Sequence, residues 1–221
     1  MHDDVIGIVL AGGRSERLAG LDLGGAGKAA LVVGGESCLR RVCRAVAAVA
    51  PRVIVVAAAG QALPPLDVTV EVVRDAAPHA GPLAGIRDGL AHGMSCGPRP
   101  SWAFVAACDT PLLSAAVVQL LVETARSAVA RFVVPIVDGH PQVLAAVIAC
   151  DLAPAIAAVA AAGHGPRAVL DELVAQHPAT VRFVTVDELA AVDPGLESFL
   201  DIDTPADLAR LKSRGIPPSW P

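Results

Sequence analysis

Short apolar runs alternate with segments of helical periodicity along almost the whole chain, and this alternation constrains the fold more than any other feature. Most of the runs are continuously apolar, which is typical of strands covered on both faces. The helical segments between them supply the crossovers that parallel strands need. The sequence therefore predicts an α/β fold, a three-layer α/β/α sandwich around a mostly parallel, Rossmann-like sheet. The predicted strands are Val5–Leu10, Val53–Ala57, Val68–Val73, Ala103–Ala107, Phe132–Ile136, Val143–Ala149, Val181–Val186 and Phe199–Ile202.

Residues that favour helix starts precede several of the helical segments. Ser37, Ser114 and Thr204 are suited to N-caps, and Pro205 follows the last of them at the first helical position. Ligands of such sheets bind beyond the carboxyl ends of the strands, so residues directly after strands are candidates for function. The predicted helices are Ser37–Val49, Leu83–Ala91, Ser114–Ala130, Leu152–Ala162, Pro166–Ala175 and Pro205–Lys212.

The composition favours one packed domain over residues 1–221. Hydrophobic residues make up 54% and charged residues 18%, which is enough apolar surface for a core. The net charge of −5 argues against general nucleic-acid binding. No apolar run has the length of a membrane span, and the N-terminus is acidic where a signal peptide is basic, so a cytoplasmic protein is expected. The five cysteines form no C-x-x-C pair and are expected to be free, mostly buried thiols.

The first strand leads directly into a small-residue loop that favours phosphate binding. Val5–Leu10 is followed by Ala11-Gly12-Gly13-Arg14-Ser15-Glu16-Arg17, in which glycines let backbone N–H groups approach an anion. Lys28 follows in a stretch rich in glycine and alanine and is one of only two lysines in the chain. A compact cation in such a loop suggests contact with a triphosphate. An ordinary glycine-rich strand–helix turn is the alternative.

Two common nucleotide motifs do not fit this loop. The dinucleotide fingerprint lacks its third glycine, and the P-loop fails because Asp22 and Ala29 replace its first Gly and its hydroxyl residue. A third pattern, L-A-G-G-x-S-x-R-[ML]…K, fits. In this pattern the chain resembles the molybdenum cofactor guanylyltransferase family of nucleotidyltransferases. The resemblance extends over nearly the whole chain. It implies a nucleotide-binding half at about residues 1–110 and an acceptor-binding half at about 111–221.

The resemblance implies a nucleotide site built from two elements. Asp75 ends the third predicted strand, and Gly81-Pro82-Leu83-Ala84-Gly85 opens the next helix, where the family contacts the base and sugar. The pairing of A-G-G with G-P-L-A-G is similar to the GTP-using branch. A solvated Asp75 in a plain strand–turn–helix is the alternative. The nucleotide-binding residues implied are Leu10, Ala11, Gly12, Gly13, Lys28, Asp75, Gly81, Pro82, Leu83, Gly85 and Asp109, with Lys28, Arg17 and Asp109 as catalytic residues.

Two aspartates that follow strands are candidate ligands for Mg²⁺. Asp109 follows Ala103–Ala107, and Pro111 disfavours helix at Thr110, so we expect the chain to stay extended there. A carboxylate on a rigid strand end is a hard oxygen ligand of the kind Mg²⁺–triphosphate needs. Asp203 has the same setting before Thr204-Pro205, although the family usually shows asparagines at Asp201 and Asp203. Helix capping is the alternative role for both candidates.

The acceptor side of the site is less clearly marked. Asp138-Gly139 predicts a tight hairpin turn, and the resemblance places this loop beside a pterin acceptor, with His140 and Gln142 as contacts. Arg167 is a candidate clamp for the acceptor phosphate. A plain hairpin and a surface arginine are the alternatives.

Two departures from the family pattern stand out. The segment Leu18–Gly27 is several residues longer than usual, and its glycines predict mobility. The asparagine that often follows the second strand is missing from Ala57-Ala58-Ala59-Gly60, so that nucleotide contact is expected to be absent.

The resemblance as a whole implies a Mg²⁺-dependent enzyme that transfers GMP from GTP to the phosphate of molybdopterin. Contact with other molybdenum cofactor proteins is expected. Transfer from CTP or another nucleotide, to molybdopterin or to a sugar or alcohol phosphate, is one alternative. A catalytically weak paralog that binds nucleotide or pterin is another.

Overall fold

The structure is a computed structural model, and it describes residues 4–12, 24–66, 69–75, 81–128 and 130–214. Gly13, Arg17 and the greater part of the Leu18–Gly27 segment lie outside these residues. The described strands are β1 (Val5–Leu10), β2 (Val32–Val33), β3 (Glu36–Ser37), β4 (Arg52–Ala57), β5 (Val70–Arg74), β6 (Trp102–Ala107), β7 (Phe132–Val137), β8 (His140–Pro141), β9 (Ala145–Ala149) and β10 (Val181–Val184).

The main sheet has the strand order β10–β7–β9–β6–β1–β4–β5, with β8 paired to β7. Strand β1 lies between β4 and β6, parallel to both, and β5 continues the parallel part on β4. Strand β9 runs antiparallel to β6 and β7, while β10 is parallel to β7. The predicted mostly parallel sheet is confirmed. The reversal of β9 brings the end of β7 and the start of β9 to the same edge as the carboxyl ends of β1, β4, β5 and β6.

Helices cover both faces of the sheet, as the three-layer prediction requires. Helices α1, α3 and α6 share one core with Val5, Val9 and Val55, and α2, α4 and α5 share the other with Ile6 and Ile8. This division follows from the strand period of two, which sends alternate side chains to opposite faces. The helices are α1 (Cys38–Ala47), α2 (Pro82–Ser95), α3 (Ala115–Ala128), α4 (Ala153–Ala161), α5 (Pro166–Gln176), α6 (Val186–Ala190) and α7 (Pro205–Ser213).

Two predicted strands need correction, and two short strands were missed. The predicted strand Val181–Val186 ends at Val184, because Thr185 forms a capping box with Glu188 and starts α6. The segment Phe199–Ile202 is not a strand: Glu197–Phe199 is a 3-10 turn, and Ile202 is buried in a small third core under α7. The two-residue strands β2 and β3 were not predicted, since their pattern is too short to register.

The N-caps and thiols behave as predicted. Ser37, Ser114 and Thr204 each accept a hydrogen bond from the backbone N–H three residues later. All five cysteines are free, and four are buried. Burial raises the pKa of the Cys38, Cys43 and Cys150 thiols to about 12. No helix in the described part of the chain is both long enough and apolar enough to cross a bilayer.

A row of glycines lets α2 lie unusually close to the sheet. A Cβ atom at Gly85 would come 3.0 Å from Leu10 Cδ2, at Gly89 2.8 Å from Ile8 Cγ2, and at Gly93 2.4 Å from Ile6 Cδ1. The three glycines lie one above another on the helix, and the three strand residues share one face of β1. A larger residue at any of these three positions would clash with β1, which is the physical reason that they are glycines.

Candidate active site

One lysine and two aspartates from distant parts of the chain meet at the carboxyl edge of the sheet. Lys28 Nζ donates to Asp109 Oδ2 at 2.9 Å and to Asp203 Oδ1 at 2.6 Å. The three side chains are 18%, 23% and 36% exposed, so they are partly buried yet open to a ligand. The two aspartates predicted as metal ligands and the lysine predicted for phosphate contact are therefore brought together.

Asp109 lies in a tight turn after β6. Thr110 Oγ1 donates to the Ala107 carbonyl at 3.0 Å, and the chain turns at Cys108 and Asp109 instead of staying extended as predicted. The hydroxyl bond gives this turn a local backbone partner. The cap of the following helix is Ser114, so the alternative role of Asp109 as a cap is not what the structure shows.

Asp203 reaches Asp109 through a backbone contact and a small apolar core. The Ile202 N–H donates to the Asp109 carbonyl at 2.9 Å, and the Ile202 side chain is fully buried among Leu31, Cys38 and Leu112. Thr204, not Asp203, caps α7, and it does so in a capping box with Asp207. Because the Thr204 hydroxyl caps the helix, the Asp203 carboxylate is not needed as a cap and bonds Lys28 instead.

Lys28 is held by a kinked 3-10 turn, Gly24–Ala30. Gly27 has φ 58° and ψ −145°, a conformation that glycine adopts readily and other residues rarely do. Ala29 is fully buried, and the Leu31 N–H donates to the Lys28 carbonyl at 3.1 Å. The turn therefore fixes the lysine backbone on both sides while its side chain points to the carboxylates.

The charges of the cluster influence one another. Burial disfavours the Lys28 ammonium, but hydrogen bonds and Coulombic attraction from Asp203 and Asp109 outweigh it, and the pKa of Lys28 is raised above 10.5. Burial and then the charges of Asp203 and Asp109 raise the pKa of the nearby Asp201 carboxyl. The edge of the sheet is thus an acidic environment that favours a cation.

The cluster suits a divalent cation that also binds phosphate. Two carboxylate oxygens share one ammonium nitrogen, so both can face one cation. Within the described residues, no group of three or more His, Cys, Asp or Glu side chains is arranged to hold a metal by itself. Mg²⁺ is commonly held by one or two carboxylates with substrate phosphates completing its shell, and this arrangement fits Asp109 and Asp203.

The end of β1 lies beside the cluster. The Ala11 N–H donates to the Val56 carbonyl at 2.8 Å, and the Leu10 carbonyl accepts from the Cys108 N–H at 3.0 Å. Leu10 and Ala11 are buried, whereas Gly12 is exposed. Gly12 is therefore the described residue of this loop best placed to present its backbone to a ligand.

A residue that the sequence analysis did not select, Gln61, connects this loop to the lysine turn. Its Nε2 donates to the Ala11 carbonyl at 2.9 Å and to the Ala26 carbonyl at 3.1 Å. The asparagine of the family pattern is missing from residues 57–60, and this glutamine follows directly after them. An amide in the loop after a strand of the parallel sheet was the signal available.

The element predicted to bind base and sugar has an open start and a buried continuation. Gly81, with φ 81°, and Pro82 are exposed at the start of α2. Leu83 is 2% exposed, and Gly85 packs against Leu10 and Val56. Asp75 directly follows β5 and donates its N–H to the Ala57 carbonyl at 2.8 Å. A ligand can therefore meet Asp75, Gly81 and Pro82, while Leu83 and Gly85 position the helix.

The predicted acceptor residues lie around the same edge. Asp138 and Gly139 have φ values of 51° and 75°, which confirms the predicted tight hairpin turn, here between β7 and β8. His140 is exposed, and Gln142 Nε2 donates to the His140 carbonyl at 3.2 Å. Arg167 lies in the first turn of α5 and pairs with Asp171 at 2.7 Å. Their contact with an acceptor stays a prediction.

Comparison with known families supports the same class of protein. The family model described as "MobA-like NTP transferase domain" matches residues 7–179. The chain belongs to this family. Membership in the MobA-like family confirms both the predicted resemblance and the nucleotidyltransferase class.

Curated relatives carry matching names. The chain is 31% identical over 211 residues to the molybdenum cofactor guanylyltransferase of Desulfosudis oleivorans, covering 96% of each chain. It is 39% identical over 160 residues to a probable molybdenum cofactor guanylyltransferase of Mycobacterium ulcerans, covering 72% of this chain and 74% of the relative. The MobA-like family thus includes relatives that match along nearly the full chain.

Solved structures share the fold. The molybdopterin-guanine dinucleotide biosynthesis protein A of Archaeoglobus fulgidus superposes with a TM-score of 0.71 at 23% identity, covering 95% of this chain and 97% of that one. A Mycobacterium tuberculosis protein solved in complex with manganese gives a TM-score of 0.62 at 21% identity, covering 95% of this chain and 98% of that one. At these identities the comparison confirms the MobA-like fold and no more.

Proposed function

We propose that this protein transfers GMP from GTP to the terminal phosphate of molybdopterin and releases pyrophosphate. The convergence of Lys28, Asp109 and Asp203 at the carboxyl edge of the sheet carries the proposal. The molybdenum cofactor guanylyltransferases among its relatives support GTP and the pterin acceptor as substrates.

The reaction is an in-line displacement at phosphorus. An oxygen of the acceptor phosphate forms a bond to the α-phosphorus of GTP, and the bond from that phosphorus to the pyrophosphate oxygen breaks. The acceptor phosphate is already an anion, so no side chain needs to remove a proton. Such transfers depend on positioning and on neutralising charge.

The residues of the cluster divide this work. Asp109 and Asp203 would hold Mg²⁺, which supplies charge neutralisation at the triphosphate when bound. Lys28 carries a compact charge on a flexible stem, so its ammonium can turn from the carboxylates to the leaving pyrophosphate. Gly12 presents backbone to the phosphates, and Gly13 and Arg17 are proposed to act with it.

Asp75 and the start of α2 are proposed to select guanine. The Asp75 carboxylate can accept hydrogen bonds from guanine N1–H and N2–H₂, and the exposed backbone at Gly81 and Pro82 can lie against the purine. His140, Gln142 and Arg167 are proposed to face the acceptor. The division into two halves, a cytoplasmic location and contact with other molybdenum cofactor proteins stay predictions.

Nucleotide-dependent thermal shifts test the guanine assignment. We expect GTP with Mg²⁺ to raise the melting temperature more than CTP, ATP or UTP at equal concentration. A tenfold preference in Kd corresponds to about 1.4 kcal/mol, which such shifts resolve near the Kd. Equal shifts for all four nucleotides would remove the guanine assignment, and a larger shift with CTP would reverse it. Pyrophosphate release with molybdopterin against a sugar phosphate then tests the acceptor.

A further inference from the structure

The side chain of Gln61 connects three separate backbone segments near the active site. Its Oε1 accepts from the Ala58 N–H at 3.0 Å, after β4. Its Nε2 donates to the carbonyl of Ala11, at the end of β1, and to that of Ala26, in the 3-10 turn that carries Lys28. One carboxamide therefore ties together the ends of two neighbouring strands and the lysine turn.

These bonds use both N–H groups and the oxygen of the amide. A glutamine side chain offers two donors and one carbonyl oxygen, and here each is directed at backbone. The side chain is partly buried. The carboxamide is thus engaged with the protein itself, unlike the family's asparagine, which contacts the nucleotide directly.

The lysine turn depends on this loop for its attachment. Ala26 is two residues before Lys28, and the Ala62 N–H donates to the Gly25 carbonyl at 3.2 Å. Gln61 and Ala62 therefore hold two successive residues of the turn, directly before the kink at Gly27. Only Gly27 separates Ala26 from Lys28, so a shift of Ala26 would also move Lys28.

Gln61 is itself fixed from the opposite side. Gly60 has φ 74° and allows the turn in which the Gln61 N–H donates to the Ala58 carbonyl at 3.1 Å. Arg74 Nη1, at the end of β5, donates to the Ala58 carbonyl at 3.2 Å and to the Gln61 carbonyl at 2.7 Å. Backbone and arginine hydrogen bonds thus fix the loop that carries the carboxamide.

We propose that Gln61 is a positioning residue, whose carboxamide sets where the Lys28 turn lies relative to the end of β1 and so aims the Lys28 ammonium. The catalytic part of this proposal rests on the proposed function, because it assumes that Lys28 contacts the triphosphate. The positional part does not, since it concerns only the protein.

The scarcity of lysine permits a direct test. Lys28 and Lys212 are the only lysines, and Lys212 is exposed on α7, so it serves as an internal reference. The rate at which an amine-reactive ester modifies each lysine is measured by peptide mass spectrometry in the folded, nucleotide-free protein. In Gln61→Met, which keeps the side-chain length and loses the hydrogen bonds, we expect the Lys28-to-Lys212 rate ratio to rise at least threefold.

Matched variants distinguish a change in the position of Lys28 from a general loss of structure. Gln176→Met changes an exposed glutamine on α5 and should leave the ratio unchanged. Gln61→Glu keeps an oxygen for the Ala58 N–H but turns a second oxygen toward two carbonyls, so it should raise the ratio as well. Gln61→Asn keeps the amide but is one methylene too short to span the segments, and it replaces any Gln61 variant that does not fold.

The outcomes distinguish the two proposals. A ratio unchanged from wild type in the folded Gln61 variants overturns the positioning role, whatever the nucleotide substrate. If the ratio rises, pyrophosphate release from GTP should fall about tenfold in Gln61→Met and less than twofold when Gln61→Met is added to Lys28→Met. Equal losses in both backgrounds would mean that Gln61 does not act through Lys28. A raised ratio in a protein that never uses GTP would contradict the proposed function and leave the positioning role standing.

Discussion

Two charge clusters lie close together in this protein and differ in almost every physical respect. The α1 charge cluster consists of Glu36, Arg40, Arg41 and Arg44, and the sheet-edge charge cluster consists of Lys28, Asp109 and Asp203. The Glu36 side chain is 5% exposed and that of Arg41 is 1% exposed, whereas the sheet-edge side chains are 18–36% exposed. The Glu36–Arg41 pair at the centre of the α1 cluster is therefore buried more deeply than the sheet-edge cluster, while Arg40 and Arg44 are 36% and 38% exposed.

The partners of the charges separate them further. Arg41 Nε donates to the Pro111 carbonyl at 2.9 Å and Nη1 to the Val33 carbonyl at 3.4 Å, so its guanidinium joins the β2–β3 hairpin, α1 and the segment before α3. Burial, opposed by the charge of Glu36, lowers the pKa of Arg41. A planar guanidinium bonded to fixed carbonyls is not easily moved, while a lysine ammonium on a flexible stem is. The α1 cluster therefore has a structural role, whereas at the sheet-edge cluster the lysine ammonium can be replaced by another cation.

The largest expected effect is that of Asp109→Asn. If Asp109 holds the metal as proposed, losing its carboxylate should lower pyrophosphate release at least about a thousandfold, or ~4 kcal/mol. The melting temperature should stay within a few degrees, because a partly exposed strand-end carboxylate adds little packing. Asp151→Asn is the matched control: it removes an exposed aspartate paired with Arg131 away from the site, and its activity should stay near wild type. Substantial turnover in Asp109→Asn would place the metal ligand elsewhere.

Glu36→Gln should reverse that pattern. Removing the carboxylate breaks the ion pair between Glu36 and the buried Arg41, and breaking a buried pair costs about 3–5 kcal/mol of stability. Chemical denaturation measures this loss, with the exposed Glu172→Gln as control. The turnover of the folded fraction should be nearly unchanged. A thousandfold loss of turnover with full stability would mean that the α1 cluster belongs to the active site.

Lys28→Met should show that the sheet-edge cluster is a cation position. Pyrophosphate release should fall roughly 100-fold, or about 2.7 kcal/mol, since a charge that meets the developing pyrophosphate matters most in the transition state. MgCl₂ without nucleotide should stabilise this variant more than wild type, because the ammonium no longer occupies the space between Asp109 and Asp203. Identical MgCl₂ shifts in both proteins would contradict the shared cation position.

The smallest expected effect concerns the cap beside Asp203. Thr204→Ala removes the N-cap of α7 and should cost about 1 kcal/mol of stability. Hydrogen bonds from the Thr204 hydroxyl and backbone lower the pKa of Asp207. The stability that these bonds to the ionised Asp207 contribute is therefore present above the ordinary carboxyl pKa and is lost as pH falls through the lowered pKa. The difference in melting temperature between wild type and variant should therefore narrow below about pH 4. A constant difference between pH 7 and pH 3 would contradict this linkage.

The sequence predicted the regular parts of the molecule well, because their signals are local. Continuous apolar runs located β1, β4, β5, β6, β7, β9 and β10, and capping residues located helix starts, including Thr204. The sheet-edge cluster was accessible for a related reason: Asp109 follows a predicted strand, and parallel strands send their ends to one edge. The false strand at Phe199–Ile202 arose because the apolar Ile202 is buried by a small third core and not by sheet pairing.

The contacts that depend on side chains reaching across loops were not predictable in this way. The position of Gln61 after a strand was visible in the sequence, but its partners at Ala11, Ala26 and Ala58 are backbone atoms with no sequence signature. Nothing in the sequence marks Glu36 and Arg41 as buried, although the fold buries both. Asp201 was noted only as a departure from the family pattern, and its acidic surroundings emerge from the fold.

The glycine row of α2 has a consequence for how this protein can change over time. Four helical residues rise about 6 Å and two strand residues about 6.6 Å, so Gly85, Gly89 and Gly93 keep step with Leu10, Ile8 and Ile6. A larger residue at one of these glycines is tolerated only if its strand partner becomes smaller at the same time. We therefore expect the two columns to vary as coupled pairs among relatives. Among folded variants from random mutagenesis, Gly93→Ala should occur chiefly together with a smaller residue at position 6. Gly93→Ala alone would clash with Ile6, and a smaller residue at position 6 alone would leave a cavity between the helix and the first strand.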